Sequence, residues 1–277
     1  MKPGFSTLGC PEWTVDRIAR CVDECGYEGL ELRGLEGEMF LPDHPSLAPG
    51  ARVGFRRRFE SLGCEIACVS SSARLTASSP TDRRQSIDEA RAFIELAAGL
   101  GSGLVRVFAG RIAEGDDRAA SAARMVETLQ QIEPDARAAD VKVAVETHDD
   151  WCRGADLAPV VAEVGSASVG VLWDINHPYR HGEEPEATAQ AMGDLLLHIH
   201  AKDGVEGGSY TLFGDGDLPL RRILSILKGM GYEGHLSFEW EKKWHPEIEE
   251  PEIALPHYAR TLASLLVDLA DGGGTNR

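Results

Sequence analysis

No apolar stretch in the chain approaches the roughly 18 residues that a membrane-spanning helix needs. The opening residues, Met1–Ser6, hold no charged segment followed by an apolar core, so no secretory leader is expected. Basic residues are scarce as well: 28 Lys and Arg stand against 45 Asp and Glu, a net charge of −17. Nonspecific nucleic-acid binding relies on Lys and Arg displacing counterions from phosphates, and anionic lipid is repelled by the same acidic surface. Neither nucleic acid nor a membrane is therefore an expected partner. The six cysteines (Cys10, Cys21, Cys25, Cys64, Cys68 and Cys152) include no CxxC pair and no metal-ribbon spacing. Cys21/Cys25 and Cys64/Cys68 are four apart, which stacks side chains in a helix and shares a face in a strand. Free, buried thiols in a reducing cytoplasm are the expectation, and with them a soluble cytoplasmic protein.

What the chain does have, across 277 residues that are 43% hydrophobic, is one recurring unit. Short β-branched runs alternate with longer segments of helical period. Strands are predicted at Gly4–Leu8, Gly29–Arg33, Glu65–Ser70, Leu104–Phe108, Lys142–Glu146, Val169–Asp174, Leu195–His200 and His235–Glu239. Ile87, Ala90, Phe93, Ile94, Ala97 and Leu100 keep one apolar stripe at helical spacing, and Tyr258, Leu262, Leu265, Leu266 and Leu269 repeat it in a last helix near Glu252–Ala270. Eight units in this length average about 35 residues, enough for a strand and its crossover helix. A parallel sheet needs helices over its outer face, so the prediction is an α/β fold, a single (β/α)8 TIM barrel over residues 1–271. The rival, an open doubly wound sheet, calls for a Gly-rich turn after its first strand, and Ser6–Pro11 contains no GxGxxG. Gly272–Arg277 reads as a frayed tail. Long loops at Gly34–Gly50 and Asp203–Leu218 follow strands two and seven, on the rim where parallel barrels carry their active sites.

The polar residues that end the strands carry the chemistry. Side chains alternate along Val141–Glu146, so the valines face the helices while Ala144 and Glu146 face the barrel axis. The same parity turns Asp174, then His198 and His200, then Ser237 and Glu239 inward, with Glu241 following if the last strand continues. Glu146, Asp174, His200 and Glu239, at intervals of 28, 26 and 39 residues, thus reach one end of one barrel. Three carboxylates on a common axis repel unless a cation sits between them. Oxygen donors with one imidazole suit one divalent ion: Mn²⁺ first, with Mg²⁺, Co²⁺ or Zn²⁺ compatible. Strand ends simply paired with Lys or Arg explain any one of the four better than all four in register. Arg33 and Arg106 share the inward parity and can bind a carboxylate or hydroxyls, although Glu31 offers Arg33 an ion pair instead. His148 and Lys202, at the rim, are candidates to orient substrate or to support the ligands. His198, one layer deeper, is expected to be a packed core histidine. Trp13, Trp151, Trp240 and Trp244 either wall a pocket or pack helices.

Val145–His148, Trp173–His177, His198–Asp203 and Ser237–Glu241 resemble the strand ends of the xylose isomerase-like barrel superfamily. More narrowly they are similar to its sugar phosphate isomerase/epimerase branch, with ketose 3-epimerases and inosose dehydratases as relatives. Gly26–Arg33 and Val105–Gly110 add to the resemblance, which spans nearly the whole chain. It implies that Glu146, Asp174, His200 and Glu239 hold one divalent metal and that Glu146 and Glu239 also exchange protons with substrate. His177 matches a position that contacts substrate oxygen; a histidine satisfied by loop backbone is the competing account. The SxE placement favours Glu239 over Glu241. Ketose 3-epimerases carry an arginine six residues after the metal histidine, where this chain has Glu206. Trinuclear-zinc endonucleases of the superfamily need histidines beside an aspartate after strand seven, and Asp215 and Asp217 have none.

The expected activity is that of a metal-dependent isomerase or epimerase of a keto-sugar or related polyol, acting by proton abstraction next to a metal-bound carbonyl through an enediolate. The alternative is a lyase that dehydrates a keto-cyclitol or a dehydroshikimate-like substrate. A noncatalytic sugar-binding subunit is a third reading, against which the intact ligand set weighs. A homo-oligomer is a family-level expectation.

Overall fold

The computed structural model describes residues 1–271, so the expected tail Gly272–Arg277 lies outside the described residues. Its strands are β1 (Lys2–Ser6), β2 (Gly29–Leu32), β3 (Glu65–Arg74), β4 (Leu104–Phe108), β5 (Lys142–Glu146), β6 (Val169–Asp174), β7 (Leu196–Ala201), β8 (Asp203–Gly204), β9 (Tyr210–Thr211) and β10 (His235–Phe238). Eight of them close in the order β1-β10-β7-β6-β5-β4-β3-β2, each neighbouring pair parallel, which is the (β/α)8 TIM barrel expected. β8 and β9 form an antiparallel hairpin in the loop after β7.

Strand ends move where side chains compete for the backbone. The first strand stops at Ser6 rather than Leu8, because Thr7–Gly9 coils into a 3₁₀ turn. There Ser6 Oγ accepts from Leu8 N, and Thr7 Oγ1 donates to the Gly34 carbonyl. β3 runs on to Arg74, past the expected end at Ser70, and β10 stops at Phe238, one residue short of Glu239. Glu239 nevertheless keeps the strand's direction, since its N–H donates to the Ala201 carbonyl on β7.

Helix signals are strong where they are needed. In Pro80–Leu100, Ser79 caps the start by accepting from Asp82 N, Pro80 pre-sets the first turn, and Gly101 ends the helix in a left-handed conformation. All six residues of its predicted stripe are buried against the sheet. The last helix, Pro251–Ala270, seals the seam between the first and last strands. Tyr258 Oη donates to the Leu236 carbonyl, and the Tyr27 hydroxyl donates to the Leu255 carbonyl.

The sheet separates two apolar regions. The larger lies between strands and helices; the smaller, Cys68, Leu104, Ala144 and Leu172 with Leu197 packed against it, fills the barrel's interior. The charged inward residues of the candidate site lie on the carboxyl side of that small plug, while at the amino side His235 of β10 lies 3.2 Å from Glu65. Room for the plug depends on Gly170 of β6, where a Cβ would lie 2.4 Å from the Leu195 carbonyl oxygen and 2.7 Å from Leu197 Cδ1. Gly170→Ala should therefore cost about 1–3 kcal/mol of stability in urea denaturation. Gly50→Ala, whose Cβ meets nothing within 4 Å, should change it little and serves as the control.

Candidate functional site

The alternation of β5, β6 and β7 brings Glu146, Asp174 and His200 to the carboxyl end of the barrel, and Glu239 joins them just past β10. One ligating atom from each of the four lies within 4.8 Å of those of the other three, and all four side chains are buried. His200 Nδ1 is 3.2 Å from Glu146 Oε1 and 3.3 Å from Glu239 Oε2. Asp174 is held by its own turn: Oδ1 accepts from the N–H groups of Asn176 and His177, while its N–H donates to Thr147 Oγ1. Glu241, the other strand-end glutamate, lies outside this group and accepts from Lys202 Nζ at 2.7 Å and Tyr210 Oη at 2.9 Å.

Cations sit among these carboxylates. Lys202 Nζ lies 2.5 Å from Glu239 Oε2 and 2.8 Å from Asp174 Oδ2, though off the latter's hydrogen-bonding direction. Arg106 donates through Nη1 to the Ser71 carbonyl, places Nε 3.2 Å from Glu146 Oε2 and lies over the Phe108 ring. Glu146 Oε2 and Asp174 Oδ2 are thus buried without a hydrogen bond.

These contacts set the charge states. Burial pushes Glu239 up, but His200 and Lys202 outweigh it and hold the carboxyl well below its ordinary value. The same opposition leaves Glu146 lowered, burial being overcome by His200 and Arg106, and Asp174 lowered, burial being overcome by His177 and Lys202. Burial also disfavours the Lys202 ammonium, yet Asp174, Glu239 and Glu241 keep it firmly protonated. His200 behaves likewise, raised by Glu239, Glu31 and Glu146 against its burial.

The remaining candidates line the rim above. His148 and His177 meet edge to face at 4.8 Å, with His177 Nε2 free of hydrogen bonds and His148 Nδ1 3.3 Å from Asp149 Oδ2. Burial lowers His177; it opposes charge on His148 too, but the Asp149 partner prevails and raises that imidazole. The hairpin Asp203–Thr211 covers this side and carries Tyr210. Asp203 pins the loop, its carboxylate accepting from the N–H groups of Gly204, Gly214, Gly216 and Leu218. A Cβ on Gly216 would fall 2.1 Å from Asp203 Oδ1, so only glycine fits.

One expectation, for His198, is corrected, and two open alternatives, for Arg33 and the tryptophans, are resolved. Arg33 does not pair with Glu31; its Nη2 donates to Ser72 Oγ at 2.9 Å, and Nη1 is buried without a partner. Burial first, and Arg106 nearby, pull that guanidinium down to about 10. His198 is not merely packed, since its Nε2 lies 3.1 Å from Glu31 Oε2. Three of the tryptophans pack: Trp13 and Trp151 lie buried under Arg17 and Arg118, and Trp240 is buried and donates to the Glu249 carbonyl, whereas Trp244 is half exposed. The residue missed is Glu31, fully buried beneath the four, whose carboxylate meets His198 and His200. Its signal was available, because inward parity for Arg33 places Glu31 inward as well.

A closed parallel barrel with a buried carboxylate–histidine cluster at its carboxyl rim defines an α/β barrel of the enzyme-bearing kind. The chain belongs to the xylose isomerase-like TIM barrel family, whose sequence profile matches residues 19–261. It is 24% identical over 251 residues to fructoselysine 3-epimerase of Shigella flexneri, covering 86% of this chain and 90% of that one. Over 141 residues it is 26% identical to inosose dehydratase of Clostridium botulinum (strain Eklund 17B / Type B), 43% of this chain and 45% of the relative. Its fold superposes on the crystal structure of the IolI protein with a bound zinc atom at a TM-score of 0.77, with 18% identity and 100% of both chains covered.

Breaking a buried charge group by removing one partner leaves the others uncompensated. Lys202→Met, measured by urea denaturation in the presence of a chelator, should lose about 3–5 kcal/mol. A loss no larger than the roughly 1 kcal/mol of a surface pair would show that the ammonium does not balance these carboxylates.

Proposed function

We propose that this protein is a divalent-metal-dependent isomerase or epimerase acting on a keto-sugar or related polyol. The observation that carries the reading is the cluster itself: three carboxylates and one imidazole, buried, with ligating atoms within 4.8 Å of one another and two carboxylate oxygens left without hydrogen bonds. That donor set fits a hard or borderline divalent ion held by Glu146, Asp174, His200 and Glu239, with Mn²⁺ our first assignment and Mg²⁺, Co²⁺ or Zn²⁺ compatible. The zinc in the IolI structure and the epimerase among the relatives support it.

A divalent ion in this position supplies Lewis acidity that stabilises oxygen charge next to an acidified C–H. The chain's own residues do the rest. Glu146 and Glu239 are the proton-transfer pair: a turnover starts with one as the carboxylate base and the other as the protonated acid, and the two have exchanged roles when it ends. One removes the proton from the carbon beside the substrate carbonyl; the other returns a proton to the opposite face, inverting that carbon. His177, whose Nε2 has no hydrogen bond, His148, whose Nδ1 lies 3.3 Å from Asp149 Oδ2, and Lys202 orient substrate from the rim. Arg33 and Arg106 receive substrate oxygens from the β2–β4 side. The second reading is a lyase, in which the second glutamate protonates a β-hydroxyl so that water leaves; the likeness to inosose dehydratase favours it.

Proton NMR in D₂O on Mg²⁺-loaded protein, with a panel of ketoses and ketocyclitols, separates the two. Deuterium entering beside the carbonyl with a new epimer is the expected result, whereas a new vinylic signal assigns the lyase. Glu239→Gln should lower turnover by about 10²–10⁴-fold. If Glu241→Gln carries that loss instead, the ligand assignment is wrong. Chelation should abolish activity and Mn²⁺ or Co²⁺ restore it; turnover that survives exhaustive chelation sinks the metal reading.

A further inference from the structure

Beneath the four-residue cluster, Glu31 on β2 is buried with no Lys or Arg at ion-pair distance among the described residues. Its two oxygens are instead met by four side chains from three other strands. Ser70 Oγ of β3 donates at 2.6 Å, and Ser237 Oγ of β10 at 2.7 Å. From β7, His198 Nε2 lies at 3.1 Å, and His200 Nε2 reaches both oxygens, at 2.9 and 3.1 Å. The other nitrogen of His200, Nδ1, faces Glu146 and Glu239.

An ionised carboxylate has acceptors only, so a ring nitrogen resting on it carries its hydrogen. By that rule both nitrogens of His200 carry hydrogen in the metal-free cluster, Nε2 toward Glu31 and Nδ1 toward Glu146 and Glu239; a divalent ion held by those two glutamates would take the place of the Nδ1 hydrogen, while Nε2–H stays on Glu31. The two serines fix the carboxylate in turn, so the imidazole is aimed by a group that is itself held from three strands.

We propose that Glu31 is the positioning residue of this centre: by holding His200 Nε2–H it fixes the ring's tautomer and orientation, so that Nδ1 is presented to a divalent ion. The inference rests on the metal site proposed above. Carboxylates behind metal-bound histidines raise ligand basicity and usually set metal affinity by roughly 10–100-fold.

A rival use of the same residues exists, because ligand atoms of Glu31, Cys68 and His198 also lie within 4.8 Å of one another. An ion there would have to displace imidazole hydrogens from a carboxylate already engaged by four donors, while Cys68 Sγ rests 3.7 Å from Ser70 Oγ. The hydrogen-bonded arrangement is the better match to these distances.

The test is metal binding rather than turnover. Protein stripped by chelator is reloaded with Zn²⁺, which is diamagnetic; bound zinc is counted by mass spectrometry and affinity measured by competition with a chromophoric chelator. Wild type should hold one ion per chain, and Glu31→Gln should bind it roughly 10–100-fold more weakly. Ser70→Ala and Ser237→Ala, which loosen the carboxylate but spare its bond to His200, should lower the melting temperature and weaken affinity less than Glu31→Gln does. Cys68→Ser should leave the stoichiometry at one. Should Glu31→Gln fail to fold, ¹⁵N-histidine NMR of Zn²⁺-loaded wild type decides the matter: His200 is expected with Nε2 protonated and Nδ1 on the metal. The opposite tautomer, or equal affinity in Glu31→Gln, overturns this role and leaves the proposed function standing. Two ions per chain, one of them lost in Cys68→Ser, also overturn it in favour of the rival site. A wild type that binds no divalent ion overturns both.

Discussion

Four carboxylates buried on one axis are the constraint to which the upper half of this barrel answers. Glu31, Glu146, Asp174 and Glu239 are each 5% exposed or less, and none can stay ionised there unless opposite charge or hydrogen-bond donors surround it. Pleat geometry creates the problem, since every second residue of a barrel strand must point inward. The same geometry answers it: Arg106 on β4 and His198 and His200 on β7 are inward residues too. Lys202, following β7, closes the group from above by touching Asp174, Glu239 and Glu241 at once. Much of the rim then follows. Tyr210 has a partner in Glu241 only because the hairpin is folded down onto it, and the hairpin holds that course because Asp203 gathers four backbone N–H groups of its loop.

Period-two alternation is local, which is why so much of the centre was legible from sequence. Each of Glu146, Asp174, His200 and Glu239 could be assigned a face from its own strand, and closure of the barrel then gathers their ligating atoms within 4.8 Å of one another. The apolar stripe of Pro80–Leu100 was legible for the same reason, with caps at both ends to bound it. What resisted reading were partnerships. Glu31 and Arg33 are two residues apart on one face, yet their guanidinium and carboxylate do not meet. Glu31 finds donors on β3, β7 and β10, while Arg33 reaches Ser72. No sequence pattern encodes a choice made between strands far apart in the chain. The end of β1 escaped for a smaller reason, because the Ser6 and Thr7 side chains draw the backbone into a turn that apolar periodicity does not register.

On the proposed function, the division of labour around the barrel follows from which charges are already paired. Lys202 and Arg106 are spent on carboxylates of the cluster, so their part in binding substrate is secondary to balancing it. Arg33 is different. It is a buried guanidinium with one neutral partner and one nitrogen unengaged, a costly arrangement unless oxygen atoms of a ligand complete it. His177 presents the same feature on the other flank, its Nε2 buried without a hydrogen bond, beside His148, which Asp149 already engages. Unsatisfied donors on two sides and a proton-transfer pair between them describe a polyol held at both ends while one carbon is worked on in the middle. Epimerase and dehydratase share that grip and the first proton removal, so the difference between them reduces to which substrate atom stands nearest the second glutamate when its proton is returned.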